Sequence, residues 1–123
     1  MAGKVLLIED EANIAEAIRF LLTRDGCQVE VIGDGLGAMQ RLNGDRPDLV
    51  ILDLMLPGAS GLDILAALRA DPRGQGLPVL MLTAKGQERD REAAERAGVS
   101  AFMAKPFANA EMRAKVRELM GQG

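Results

Sequence analysis

Five short apolar runs recur along the chain, at residues 5–8, 29–32, 49–52, 79–82 and 101–104. They are nearly continuous rows of Val, Ile, Leu, Met and Ala rather than alternations of apolar and polar residues. Runs of this length and composition suit parallel strands covered on both faces. Between them, apolar residues return every three or four positions, the spacing of an amphipathic helix. Ile14, Ala17, Ile18, Leu21 and Leu22 predict a first helix, with Asn13 placed to cap it. Leu36, Met39 and Leu42 make a second, weaker stripe. Ser60 is positioned to cap a third helix carrying Leu62, Leu65 and Leu68. A fourth, roughly 87–97, has only Ala93, Ala94 and Ala97 on its apolar face, and the last carries Met112, Val116, Leu119 and Met120. Gly26, Gly44, Gly74, Gly76 and Gly98 punctuate the helix exits.

Strand and helix therefore alternate through five units, which predicts an α/β fold: a doubly wound parallel sheet with helices on both faces. Right-handed crossovers leave few topologies, and the flavodoxin-like (βα)5 order 2-1-3-4-5 is expected. In that order, functional residues belong beyond the carboxyl ends of the strands, near the first and third. No repeat, linker or low-complexity segment divides the chain, so residues 1–123 are read as one domain.

Composition narrows this further. Aromatic residues make up 2% of the chain and Trp and Tyr are absent, so the core must be aliphatic, with the seven Met residues as gap-fillers. The single cysteine, Cys27, cannot form an internal disulfide or a zinc cluster and is read as a buried small hydrophobe. The absence of His removes the commonest general base and metal ligand. A net charge of −3 argues against nucleic acid as a direct ligand of these residues. No apolar run approaches the roughly 20 residues needed to span a bilayer, and the start lacks the apolar stretch of a signal peptide. A cytoplasmic location is expected.

The chemistry lies at the strand ends. The first predicted strand ends in Glu9-Asp10-Glu11, the third in Asp53, the fourth in Thr83 and the fifth in Lys105-Pro106. In the expected fold these ends meet at one edge of the sheet. The site then holds clustered carboxylates, a hydroxyl and an ammonium. Carboxylates so placed repel one another unless a cation intervenes. A few hard oxygen donors suit Mg²⁺, which keeps several waters and accepts phosphate oxygens. A metal and a lysine neutralise charge on a transferring phosphoryl group, a hydroxyl donates to it, and an aspartate can be the covalent acceptor. Glu11 is read only as an acidic helix start.

The segments Val-Leu-Leu-Ile-Glu-Asp-Glu at 5–11, Leu-Asp-Leu-Met-Leu-Pro-Gly at 52–58 with Gly61 beyond it, Pro-Val-Leu-Met-Leu-Thr-Ala at 78–84 and Ala-Lys-Pro-Phe at 104–107 resemble, in order and over essentially the whole chain, the receiver domain of bacterial response regulators. The resemblance implies a two-component signalling module rather than a conventional enzyme. Asp53 would accept a phosphoryl group from a sensor histidine kinase, a histidine phosphotransfer protein or a small phosphodonor, with Mg²⁺ required and Mn²⁺ able to replace it. Asp10, Asp53 and the backbone carbonyl of Met55 would ligate the metal, and Glu9 would act on it through water. Thr83 and Lys105 would bind phosphoryl oxygens, Thr83 also being a possible helix cap. The Lys105–Pro106 bond would be cis. Thr83 and Phe102 would form a switch read by a downstream protein on the face made by helix 4, strand 5 and helix 5, while Phe107 would be core. Met55 and Lys85 would gate the water that removes the phosphoryl group. Arg91 and Glu111 match a pair by which DNA-binding members dimerise, but Ala97 and Ala101 replace acids used there. A monomer or weak phosphorylation-dependent homodimer is therefore expected. A phosphatase of the haloacid dehalogenase type would need an acid two residues after the nucleophile, where Met55 stands. No output domain is recognisable; the chain is either a single-domain regulator or a fragment of a longer one, and the complete single-domain form is the expectation.

Overall fold

The computed structural model describes residues 3–84 and 87–121. In chain order the elements are β1 (Gly3–Ile8), α1 (Ala12–Arg24), β2 (Cys27–Ile32), α2 (Gly35–Leu42), β3 (Leu49–Asp53), α3 (Gly61–Ala70), a 3₁₀ turn (Pro72–Gly74), β4 (Val79–Thr83), α4 (Glu88–Ala97), β5 (Ala101–Ala104) and α5 (Asn109–Leu119). The strands form one five-stranded parallel sheet in the order β2-β1-β3-β4-β5. The expected α/β topology is the observed one. The 3₁₀ turn was not foreseen; it is made by Pro72 in its first turn and by Asp71, which accepts a hydrogen bond from Arg73 N at 3.0 Å.

Strand side chains alternate between faces, and the core accordingly splits into two layers. Leu6, Ile8, Val50, Leu52, Val79 and Met81 pack against α2, α3 and α4 through Ala38, Leu42, Ile64, Leu65, Leu68 and Ala94. On the other face, Val5, Leu7, Leu49, Ile51, Leu80, Leu82 and Met103 meet α1 and α5 through Ala15, Ile18, Leu22, Met112 and Val116. Each fully buried Leu, Ile or Val contributes about 1.5–3 kcal/mol relative to exposure. The expectation of buried strands holds for the inner three. In β2 only Cys27 is buried and Val31 is 37% exposed, while in β5 only Met103 is fully buried. Both are edge strands with one neighbour each, and β2 covers itself with a Glu30–Arg41 ion pair at 2.8 Å.

The helices depart from their predicted faces in instructive ways. α1 begins at Ala12 with Glu11 at the cap position, so Asn13 lies inside the first turn and does not cap. The cause is upstream: the Glu9 carboxylate accepts from Glu11 N at 3.1 Å and turns the chain at once. Ala15, Ile18 and Leu22 face inward, Ile14 and Leu21 are half-buried, and Ala17 faces solvent. In the eight-residue α2 the narrow inward face is Gly35, Ala38 and Leu42, which leaves Leu36 exposed. Ser60 does cap α3, in a reciprocal box with Asp63, and Ile64 joins the stripe of Leu65 and Leu68, with Leu62 half-buried. α4 starts after Gln87, and only Ala94 of its three alanines is fully buried. It ends on Gly98 at φ 95°, a left-handed conformation that favours glycine. In α5 Met112 and Val116 are buried, with Leu119 and Met120 half-buried. Met81, Met103 and Met112 are core, but Met55 is 62% exposed and is not. Cys27 is buried as expected, and Phe107 is only half-buried at the margin of the α1–α5 layer.

At the amino edge of the sheet, Arg69 donates to the carbonyls of Gly74, Leu77 and Gly98 and to Ser100 Oγ. Ser100 Oγ also accepts from Val79 N at 2.9 Å. One guanidinium thereby ties together the end of α3, the 3₁₀ turn, the start of β4 and the α4–β5 connection. Burial lowers its pKa from the ordinary value. Among the described residues no helix is long and apolar enough to cross a membrane.

A second tie joins α1 to α5. Arg113 donates to both oxygens of Asp25 at 2.8 Å. The hydrogen bond from Arg113 holds the Asp25 carboxyl below its ordinary pKa of 3.8. A depressed carboxyl pKa contributes stability above the unfolded value that is lost as pH falls through the folded value. Arg113→Ala is expected to lower the melting temperature slightly at neutral pH, and the difference should shrink as pH falls below 3.8 and through the lowered pKa of the folded carboxyl. Thermal melts of both proteins from pH 7 to pH 2.5 test this.

Candidate functional site

Because the strands are parallel, β1, β3, β4 and β5 all end on one edge, and each delivers its first polar residue there. β3 places Asp53 beside Leu82, and Thr83 pairs with Ala104, the residue before Lys105. Glu9 N donates to Ile32 O at 3.0 Å, Leu54 N to Leu82 O at 3.1 Å and Lys105 N to Thr83 O at 2.8 Å, so ladder bonds continue past the ends of β1, β3 and β5. The sheet itself fixes the spacing of these residues.

Among the described residues, Glu9, Asp53 and Thr83 are the buried polar ones, at 2%, 6% and 2% exposure, while Asp10 is exposed. Carboxylate oxygens of Glu9, Asp10 and Asp53 lie within 4.8 Å of one another. Lys105 Nζ stands 2.8 Å from Glu9 Oε1 and 3.0 Å from Asp53 Oδ2. Burial, the largest single influence, lowers the Lys105 pKa, but the contacts with Glu9 and Asp53 together outweigh it and raise it above the ordinary value. Asp53 Oδ1 accepts from Met55 N at 3.3 Å, while Oδ2 faces the lysine. The Lys105–Pro106 peptide is cis.

Glycine geometry shapes the approach to Asp53. A Cβ on Gly61 would stand 2.5 Å from the Asp53 carbonyl oxygen and 2.9 Å from Leu54 Cα, so the start of α3 can lie against the end of β3 only without a side chain. Gly35 N donates to Pro57 O at 2.9 Å, fastening α2 to the same loop.

The structure thus brings together Glu9, Asp10, Asp53, Thr83 and Lys105. Met55 follows them with its side chain outward, and Phe102 lies farther back on β5, half-buried. Thr83 does not cap α4: Gln87 holds that position and accepts from Ala84 N at 2.6 Å through its side chain. Lys85 lies outside the described residues. The contact of Lys105 with Glu9 as well as Asp53 was not anticipated, and nothing in strand periodicity signals it. The role of Gln87 is equally silent in the sequence.

The sequence matches the response regulator receiver domain family over residues 5–117. Among curated proteins, it is 39% identical to the phosphate regulon transcriptional regulatory protein PhoB of Klebsiella pneumoniae, over 98% of this chain and 52% of that protein. It is 41% identical to the DNA-binding response regulator MtrA of Mycobacterium tuberculosis, over 95% of this chain and 50% of that protein. The receiver domain of the sensor histidine kinase PA1611 from Pseudomonas aeruginosa, solved with magnesium coordinated in its active site cleft, superposes with a TM-score of 0.89 at 30% identity, covering 98% of this chain and 99% of that one. The receiver domain of the Francisella response regulator 1452 gives 0.87 at 27% identity, with 98% of each chain covered. The chain belongs to the response regulator receiver domain family of two-component systems. It spans about half the length of the curated relatives it matches.

Lys105 is the internal counter-charge of two buried carboxylates. Removing one member of such a group leaves the others uncompensated. Lys105→Met is expected to lose about 1–3 kcal/mol of stability in chelator. Added Mg²⁺ should recover much of the loss, since a cation bound only to the folded state stabilises it by mass action. Urea melts in chelator and in Mg²⁺ check both; a variant as stable as its parent in chelator would contradict the assignment.

Proposed function

We propose that this domain takes a phosphoryl group onto Asp53 from a phosphohistidine of a sensor kinase or histidine phosphotransfer protein, in a Mg²⁺-dependent reaction. The observation that carries the reading is the convergence of three carboxylates, a lysine and a threonine at one edge of the sheet. The donor set is hard oxygen throughout, which fits Mg²⁺ or, in its place, Mn²⁺. Asp10 and Asp53 would hold the ion with the Met55 carbonyl, and Glu9 would act on it through water. The bound ion would supply positive charge to the phosphoryl oxygens.

The chain's own groups do the rest. A carboxylate oxygen of Asp53 attacks phosphorus, the bond from phosphorus to the donor nitrogen breaks, and an acyl phosphate remains on Asp53. Lys105, already 3.0 Å from Asp53, neutralises charge on the transferred group, and the Thr83 hydroxyl donates to it. Because the domain holds these parts itself, a small donor such as acetyl phosphate suffices. The domain promotes its own phosphorylation and slow dephosphorylation without being a conventional enzyme. Thr83 moving toward the phosphoryl group and Phe102 turning inward shift the α4–β5–α5 face between two states that a downstream protein distinguishes. Loss of acids at Ala97 and Ala101 keeps the unphosphorylated domain monomeric and any phosphorylated dimer weak. The chemistry and the single buried thiol suit a reducing cytoplasm.

Asp53→Ala is expected to abolish Mg²⁺-dependent labelling by radioactive acetyl phosphate, while the parent is labelled to near one equivalent. Stoichiometric labelling of the variant would place the acceptor elsewhere.

Decay of the phosphorylated state is inferred from Met55 and from Lys85, the two positions that the family resemblance sets beside the attacking water. Met55 is 62% exposed there and offers water only a weak acceptor. Lys85 offers donors and no acceptor. The phosphorylated protein should therefore lose phosphate slowly, and Met55→Asn with Lys85→Glu should speed the loss roughly tenfold, less than the ~10²–10⁴-fold of a fully positioned acid–base group. Phosphate release from purified protein in Mg²⁺ measures it.

A further inference from the structure

Phe102 and Thr83 stand on the same face of the sheet. Phe102 pairs with Met81 and Ala104 with Thr83, and side chains two apart along a strand share a face. Met81 and Phe102 both border the α2–α3–α4 layer, so this face lies toward α4. The β5 residue paired with Thr83 on that face is Ala104, exposed and carrying only a methyl group. The ring itself is half-buried, and the Arg91 guanidinium of α4 lies over it, its carbon 4.8 Å from the ring centroid. Among the described residues no carboxylate lies within ion-pair distance of Arg91.

We propose that Arg91 is a positioning residue that holds the Phe102 ring outward and so sets how often the domain visits its phosphorylated-like arrangement. The inference rests on the reading of Phe102 as a switch and adds the group that restrains it. A cation over a half-buried ring is worth at least about two- to five-fold in population. The restraint is connected to the site through one turn of backbone. Arg91 N donates to Gln87 O at 3.0 Å, and the Gln87 side chain accepts from Ala84 N at 2.6 Å, directly after Thr83. A shift of that strand end toward a phosphoryl group pulls on the turn that carries Arg91 and lifts the guanidinium from the ring. Phosphorylation and ring release are then linked in both directions, since a ligand and a conformation that favour each other do so reciprocally.

The test compares Arg91→Gln, which removes the cation, with Arg91→Lys, which keeps it. Arg91 is exposed, so both variants retain the fold. Ring carbon–proton NMR shifts of Phe102 in the unphosphorylated protein should move toward their beryllofluoride-bound values in Arg91→Gln, corresponding to a two- to five-fold larger inward population. Arg91→Lys should stay near the parent. The rate of phosphorylation by acetyl phosphate should rise by the same factor in Arg91→Gln, and the rise should disappear when Phe102→Leu is present in both proteins. Unmoved ring shifts in Arg91→Gln, a Lys variant as perturbed as the Gln variant, or a rate effect that survives Phe102→Leu would each overturn the proposal. Failure of the parent itself to be labelled would instead count against phosphoryl transfer, and the ring shifts would still judge the restraint.

Discussion

In a parallel sheet every strand finishes on the same edge, and the rest of this molecule follows from that constraint. The side-by-side registers that align Val5 with Leu49 and Val50 with Val79 also align the strands' last residues. Chain segments far apart in sequence therefore deliver Glu9, Asp53, Thr83 and Lys105 to one place with no dedicated scaffold. Apolar packing on both faces fixes the strands, and the strands fix the polar groups. A shift of one residue in any of these pairings would turn each side chain of that strand to the other face. It would empty the site and expose the core together.

The arrangement concentrates electrostatic cost at one end of a nearly all-aliphatic interior. Two carboxylates are almost fully buried, and their close neighbours are Lys105, two backbone amides and the carboxylate of exposed Asp10. The lysine side chain is 20% exposed, so its ammonium keeps partial contact with solvent while facing both acids. A site held this way is poised rather than relaxed: an added cation or a phosphoryl group changes which charges are compensated. Rearrangement near it costs little compared with disturbing Leu52 or Met81 beneath.

How much of this the sequence disclosed can be judged residue by residue. The inner strands were legible because Leu49 to Leu52 and Val79 to Leu82 are unbroken and must be covered on both sides. The edge strands were misjudged as buried, since an apolar run does not reveal whether it has one neighbour or two. Helix faces were legible where the stripe is Leu-rich, as at Leu65 and Leu68, and misread where alanine and glycine do the packing, as at Ala15, Ala38 and Gly35. The site residues were legible as strand-terminal polar groups, and the convergence of Glu9, Asp53 and Lys105 at that edge is observed. Side-chain reach was not: the bridge from Lys105 to Glu9, the bond from Gln87 to Ala84 and the stacking of Arg91 on Phe102 depend on rotamers that no periodicity records.

The two edges of the sheet are joined by different forces. At the carboxyl edge the fastening is charge against charge. At the amino edge Arg69 is held by carbonyls and a hydroxyl, with no acidic partner among those contacts. Glu9 and Asp53 are buried and close to Lys105, so dissolved salt screens the first kind of contact little, but a bound cation or phosphoryl group changes its charge balance directly. The domain therefore has one end whose charge balance answers to what binds there and another held by hydrogen bonds that carry no counter-charge. If charge changes hands at the carboxyl edge as proposed, Arg69 would be the fixed base across the sheet, and α4 and β5 the elements left to yield.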